Sequence, residues 1–513
     1  MKLNIITKNV FFIFLFVSIF LWGIFLRIPE LINGNYLFGH DHGRDYLAAY
    51  DIVVNHKFTL IGAEAGSGVA GINGIFHGPG YFYLIALAYI LFNGNPIGGQ
   101  LFMVLFGVLS LMLAWYIGHQ IFGKIGSILL LFFVAVSPLI VSQSRFIWSS
   151  HPITPFVLLA LYFVYKIPQN PRKYAPLAVF MSGFSYHSQL GVAVPLTVSV
   201  LLSIPLIYKI RDVRVYLYCV LAIVFGYLPM FLFEARHGFM AVRSAWEYTV
   251  SGGAGGSSIF ESKRLYAHGV DYWNNFTNTF TFEFGWISGQ MQKILLYAVM
   301  PVVGFGLFQV RESKHRKFIL FLVLMLMTTW AGYLVLNNVV WDYYLTHTRL
   351  GFTLLFTYAI VACVQRKKNT PFVSLAFIVI ALFILGLGVG SVFRMYVSYT
   401  SDLGDTGKFE KIQGKRFVLD TIYQDADGKS FSVFIFIPSV YTWPYDYLFK
   451  TYGKQTYGYV PHYEKKGLAY LIIEPDNDKP WRQNGWLETV VQGGKTIWIK
   501  TLLNGLILEK REY

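Results

Sequence analysis

Long apolar runs recur from residue 10 to residue 395, and they restrict this chain more than any motif does. The first, VFFIFLFVSIFLWGIFL from Val10 to Leu26, is followed by runs near 80–93, 99–118, 125–143, 152–166, 174–188, 190–207, 215–233, 293–310, 318–336, 346–363 and 372–395. Lipid offers no partner to a backbone N–H or C=O, so such runs are stable there as helices, which need roughly 20 residues to cross. With 55% of its residues hydrophobic and 13% charged, the chain is expected to be a polytopic α-helical membrane protein with about 11 to 12 transmembrane helices. The first run follows Lys2 and Lys8 and precedes Arg27. Its apolar core is too long for a signal peptide and no small-residue cleavage site ends it, so it reads as a retained anchor.

Lys and Arg cluster in short loops, at 166–173, 209–214, 311–317 and 365–369, and the bias of such loops toward the cytoplasm orients the helices between them. The first outer loop is then 28–79, a large outer loop covers 235–290, and residues 398–513 form a small α+β C-terminal extracytoplasmic domain after the 1–397 membrane domain of a cell-membrane protein. Three runs lie between residues 78 and 143, where an even number of crossings is required; either the shortest, 80–93, is partial or it merges with its neighbour through FNGNPIGG. Eleven true spans are preferred, and charge bias does not choose which run fails. The formal charge of +15 sits in these flanking loops rather than on a basic stripe, which favours lipid headgroups over nucleic acid as partners. Cys219 and Cys363 lie far apart in apolar runs, with neither a disulfide framework nor zinc spacing.

Against this background FGHDHGRDY, 38–46, crowds two aspartates, two histidines and an arginine beyond the first helix. Ionisable groups at membrane depth are costly unless paired or facing a wet cavity, so those at outer helix ends are candidates for a shared polar chamber. Asp41 beside Arg44 can stay ionised and accept a proton from a hydroxyl, or it can cap the helix that starts nearby. Asp45 in the first turn suits the helix dipole, and His42 lies between the two carboxylates. Arg44, Arg145, Arg236 and Arg349 carry the planar fork that grips phosphate oxygens, or they snorkel at the interface. His77 in HGPG, His151 in WSSHP, and Glu234, Arg236 and His237 in FEARHGF complete the set of acceptor- and donor-binding candidates. His40, His42 and His77 raise a divalent metal as a cofactor, but their spacing is no zinc signature, and none is assigned. In the tail, RFVLDTIYQ, KSFSVFIFIP and GLAYLIIEP read as strands, and Tyr441, Trp443, Tyr445 and Tyr447 suit sugar rings, headgroups or a core.

The combination of LRIPEL, HDHGRDYLAAYDI, HGPGYFYLIAL, SPLIVSQSRFIWSSHP and FEARHGF resembles the GT-C superfamily of integral-membrane glycosyltransferases, especially the protein O-mannosyltransferase, aminoarabinose-transferase and galacturonosyltransferase-like group. The resemblance covers about the first 395 residues. It implies transfer of a sugar from a polyprenyl-phosphate-linked donor to a hydroxyl or amine of a protein, lipid or glycan acceptor, by inversion at the outer membrane face. It also implies Asp41 as catalytic base or acceptor-binding carboxylate, with Arg44 as its partner. The sequence departs from the family pattern at His42, where an acid is frequent, and at Gly78–Pro79–Gly80, where a basic residue is frequent. The turn around Arg145 contains no carboxylate, so Arg145 is expected to serve substrate binding without an aspartate partner. A polyprenyl-linked glycan or lipid transporter is the alternative; no Walker-type or Rossmann pattern points to a nucleotide.

Overall fold

The computed structural model describes residues 2–65, 74–250, 262–281, 286–334, 340–365, 371–402, 409–502 and 505–513. The glycine-serine run 251–258 and most of the basic cluster at 365–369 lie outside them. The protein is mostly helical. Among the described residues five helices are long and apolar enough to cross a membrane, or six if one bent pair is counted as a single span. Four shorter apolar helices, Asn9–Phe25, Gly80–Leu91, Thr154–Lys166 and Leu190–Leu206, accompany them.

The runs at 99–118 and 125–143 form one 40-residue stretch, Ile97–Val136, interrupted at Gly123 (φ 74°, ψ −162°). That conformation is open to glycine and strained for other residues. A Cβ on Gly118 would lie 2.8 Å from the Ser127 Cα, whereas nine residues of straight helix are about 14 Å apart; the chain therefore doubles back at Gly123. The Gly80–Leu91 helix has 12 residues and is about 18 Å long, short of the roughly 30 Å hydrocarbon layer. Its Tyr81, Phe82, Ile85 and Ala86 pack with Tyr46 and Ala49 and with tail residues such as Val418, Tyr447 and Tyr470 rather than with the large helical core.

The C-terminal region carries a four-stranded sheet in the order β1-β2-β4-β3, with β1 Ser432–Phe436, β2 Leu468–Ile473, β3 Lys495–Thr501 and β4 Ile507–Glu512. β1 and β2 are parallel, joined by a crossover through the Trp443–Leu448 helix, while β4 runs antiparallel to both β2 and β3. The expected strand RFVLDTIYQ is instead part of the helix Ile412–Ala426. Its buried Ile412, Val418, Leu419, Ile422, Tyr423 and Ala426 follow helical spacing, and that period outweighs the β-propensity of the short run.

This tail is joined to the segment after the first helix by backbone as well as side chains. Phe38 N–H donates to the Glu410 carbonyl at 3.1 Å and Ile412 N–H to that of Tyr36 at 3.0 Å. On the next element, a Cβ at Gly43 would stand 2.3 Å from the Pro444 nitrogen, so the entry helix, His40–Val53, touches the tail backbone where only hydrogen fits.

Candidate functional site

The entry helix begins at His40, and its first turns carry the charge. One Arg44 guanidinium nitrogen meets Asp41 Oδ1 at 2.9 Å, while another meets Asp45 Oδ1 at 2.7 Å. The carboxylates are separated by environment: the Asp41 side chain is 39% exposed and Asp45 is sealed at 0%. Burial pushes the Asp45 carboxyl up to about 7 against the pull of Arg44, and its Oδ2 has no hydrogen-bond partner. Asp41 is thus the carboxylate that reaches solvent, with Arg44 fixing its orientation.

Three histidines, His42 on this helix and His77 and His151 from elsewhere, have defined tautomers. His42 Nδ1 accepts from Gly39 N–H at 3.1 Å and His77 Nδ1 accepts from Leu190 N–H at 3.1 Å, so the neutral ring of each carries its proton on Nε2. Burial depresses both to about 4, leaving them neutral donors near pH 7. His151 is the reverse: its Nδ1–H donates to the Phe146 carbonyl at 2.7 Å, which leaves Nε2 as an acceptor. Burial lowers it to about 3 against the hydrogen bond to Phe146, and the Arg349 charge acts with burial. Arg44 is likewise close enough to influence His77, and Asp41 to influence Tyr343.

These hydrogen bonds and electrostatic influences draw together Asp41, His42, Arg44, Asp45, His77, His151 and Arg349 from four separate stretches of sequence. Arg349 is buried, donates to the Asp342 carbonyl at 2.6 Å and keeps an unpaired Nε. Aromatic rings line the gathering: Phe146 lies 4.1 Å from His151, and Trp148 lies 4.4 Å from Tyr343, centroid to centroid. The Tyr81 hydroxyl is buried without a partner. Tyr81, Phe146, Trp148 and Tyr343 escape a reading based on charge, because in sequence they look like ordinary membrane aromatics.

Other candidates have different duties. Arg145 is paired after all: Glu30, from the LRIPEL turn, accepts from its Nε at 2.9 and 3.1 Å and from a terminal nitrogen at closer range, while Ser398 Oγ lies 2.6 Å from Nη1. The missing local carboxylate comes from 115 residues away, and Arg145 ties the first helix's exit to the last one. Glu234 turns from Arg236 and accepts from the backbone N–H of Ala241 and Val242 at 3.0 and 3.4 Å. Arg236 and His237 are exposed, with His237 stacked 4.0 Å from Phe233. The glycines of HGPG admit a protein neighbour: Gly78 N–H donates to Tyr186 O at 3.0 Å and Gly80 N–H to His187 Nδ1 at 3.1 Å. Among the described residues no three His, Cys, Asp or Glu side chains are grouped so as to hold a metal ion.

The family model for dolichyl-phosphate-mannose-protein mannosyltransferases matches residues 76–233. That match covers about a third of the chain, and the architecture as a whole is also similar to that of a solved membrane protein. More particularly, the fold is similar to that of ArnT from Cupriavidus metallidurans. Against the apo state the TM-score is 0.59 at 11% identity, and against the form bound to undecaprenyl phosphate it is 0.55 at 11% identity; both comparisons cover 98% of each chain. No curated protein sequence matches.

Proposed function

We propose that the protein transfers a sugar from a polyprenyl-phosphate donor to a hydroxyl or amine acceptor at the outer face of the cell membrane. The observation that carries this reading is the pair of carboxylates on one helix turn, Asp41 open and Asp45 sealed, bridged by a single arginine. The GT-C fold and the undecaprenyl phosphate held by the ArnT of similar fold support a lipid-phosphate donor. In this reading residues 1–397 hold the donor's lipid and 398–513 face the outer compartment, which also puts the basic loops in the cytoplasm.

Asp41 takes the proton as the acceptor's oxygen or nitrogen attacks the anomeric carbon. The bond from that carbon to the phosphate oxygen breaks, and polyprenyl phosphate departs with the electron pair, inverting the centre in one displacement. Arg44 orients Asp41 through their 2.9 Å ion pair. Arg349, with its unpaired Nε, and the His77 Nε2–H are the donors assigned to the departing phosphate. Arg145, engaged by Glu30, supports the scaffold.

The deciding experiment supplies purified protein in lipid with a panel of polyprenyl-phosphate sugars and an envelope extract, and measures polyprenyl-phosphate release and adduct mass. Asp41-dependent transfer is the expected result. Intact donors beside an active control enzyme would overturn the reading. A transporter remains the second reading because the helices Val213–Gly226 and Leu228–Arg236 meet at a 68° bend, and broken helices serve alternating access. It would show as donor crossing the bilayer chemically unchanged.

A further inference from the structure

Beside Asp41 the tail contributes a group of rings that the transfer step leaves unused. Tyr441 and Trp443 stack with centroids 4.3 Å apart and planes 18° apart. His40 extends the stack, 4.4 Å from Trp443 and 5.1 Å from Tyr441. The neighbouring Tyr445 and Tyr447 behave differently: both are fully buried, with hydroxyls bonded to Glu474 and to the Gly94 carbonyl. They are core, whereas Tyr441 is 53% exposed.

The stack is held in register with the carboxylate. Trp443 precedes Pro444, whose backbone abuts Gly43 of the entry helix, and His40 adjoins Asp41 in sequence. A flat apolar surface next to an exposed carboxylate matches the two sides of a pyranose, which offers C–H groups on a face and hydroxyls at its edge. Tyr441 and Trp443 belong to the tail, and His40 to the entry helix, rather than to the apolar helices that would hold a donor's lipid. We infer that Tyr441, Trp443 and His40 form a stacking platform for a sugar ring of the acceptor, so that the acceptor is a saccharide-bearing molecule rather than a bare peptide hydroxyl. This rests on the transfer reading above, and the same chemistry could be met by the donor's own sugar, so the test separates the two sources.

Full-length protein in detergent is mixed with maltotriose, mannotriose or chitotriose, and saturation transfer to the sugar C–H protons is recorded by NMR. Wild type is expected to saturate at least one trisaccharide, Tyr441→Ala to lose the signal about fivefold or more, and Tyr441→Phe and Asp41→Asn to retain it. Unchanged melting of Tyr441→Ala checks that the exposed substitution leaves the fold intact. In turnover, Tyr441→Ala should raise acceptor KM while leaving donor KM unchanged. The inference is overturned by absence of saturation for all three trisaccharides, by an undiminished signal in Tyr441→Ala, or by a rise in donor KM alone, which would assign the rings to the donor. Tyr441-dependent saccharide binding without donor consumption would remove the transfer reading and keep the saccharide site; Asp41-dependent transfer with equal acceptor KM in Tyr441→Ala would do the opposite.

Discussion

The turn at 40–45 and the turn at 234–237 have nearly the same inventory: acid, histidine and arginine at the end of an apolar stretch. In the first, tail, entry helix and the 80–91 helix close around the charges, leaving Asp45 sealed and Asp41 at the rim. In the second, Glu234 is consumed by two backbone N–H groups and Arg236 and His237 face outward. Residue type supplies capacity for chemistry; packing that holds one group half open and its neighbour shut converts it into a site.

The sharpest way to break this contrast is to neutralise each turn in the transfer assay. Asp41→Asn is expected to lower turnover by about 10²- to 10⁴-fold, the range for a positioned general base, with melting unchanged. Arg236→Ala and His237→Ala should stay within about twofold of wild type, since exposed side chains away from such features usually matter little. Equal turnover of Asp41→Asn and wild type would dissolve the distinction.

A second comparison concerns arginines. Arg145→Ala strands Glu30, whose side chain is 12% exposed beside a 7% exposed Arg145, and should cost about 3–5 kcal/mol of stability by chemical denaturation in detergent. Glu30→Gln should weaken the protein similarly, and the double variant should recover part of the loss; additive losses would remove the pair from this role. Gly43→Ala comes next in size. With the Pro444 nitrogen 2.3 Å from the new Cβ, it should destabilise by about 1–3 kcal/mol and raise the rate of proteolysis between tail and membrane helices, whereas wild-type protection would show that the contact yields easily.

A last comparison is in pH. His42 and His77 are held at about 4 and His151 at about 3 by burial, so their contribution is full above the ordinary value of about 6.5 and is lost as pH falls toward 4. Asp45, raised by burial to about 7, has the opposite sign: its contribution is full below the ordinary carboxylate value and is lost as pH rises through about 7. Three histidines outweigh one carboxyl, so the melting temperature should fall on acidification from pH 6.5 to 4. His77→Gln should flatten that fall; an unaltered slope would mean that His77 is solvated in the folded protein.

Much of the architecture was legible in sequence because lipid imposes a one-dimensional rule: long apolar runs become helices, and their positions follow directly. Short runs were harder. RFVLDTIYQ looked like a strand, yet it completes a helical face that begins at Ile412, before the run itself. The charged turn at 40–45 was visible because charge is rare here, but the partner of Arg145 was not, since Glu30 reaches it from 115 residues away.

The sequence by itself determined the membrane class, the run of helices and the candidate Asp41–Arg44 pair, all of which depend on local composition and on neighbours within a turn or two. Tertiary structure alone decided that Asp45 is sealed while Asp41 is open, that Arg145 is a tie, and that Tyr441 and Trp443 stand beside His40 while Tyr445 and Tyr447 are core. Burial and pairing are properties of surfaces brought together across hundreds of residues, and hydropathy along the chain does not encode which surfaces meet.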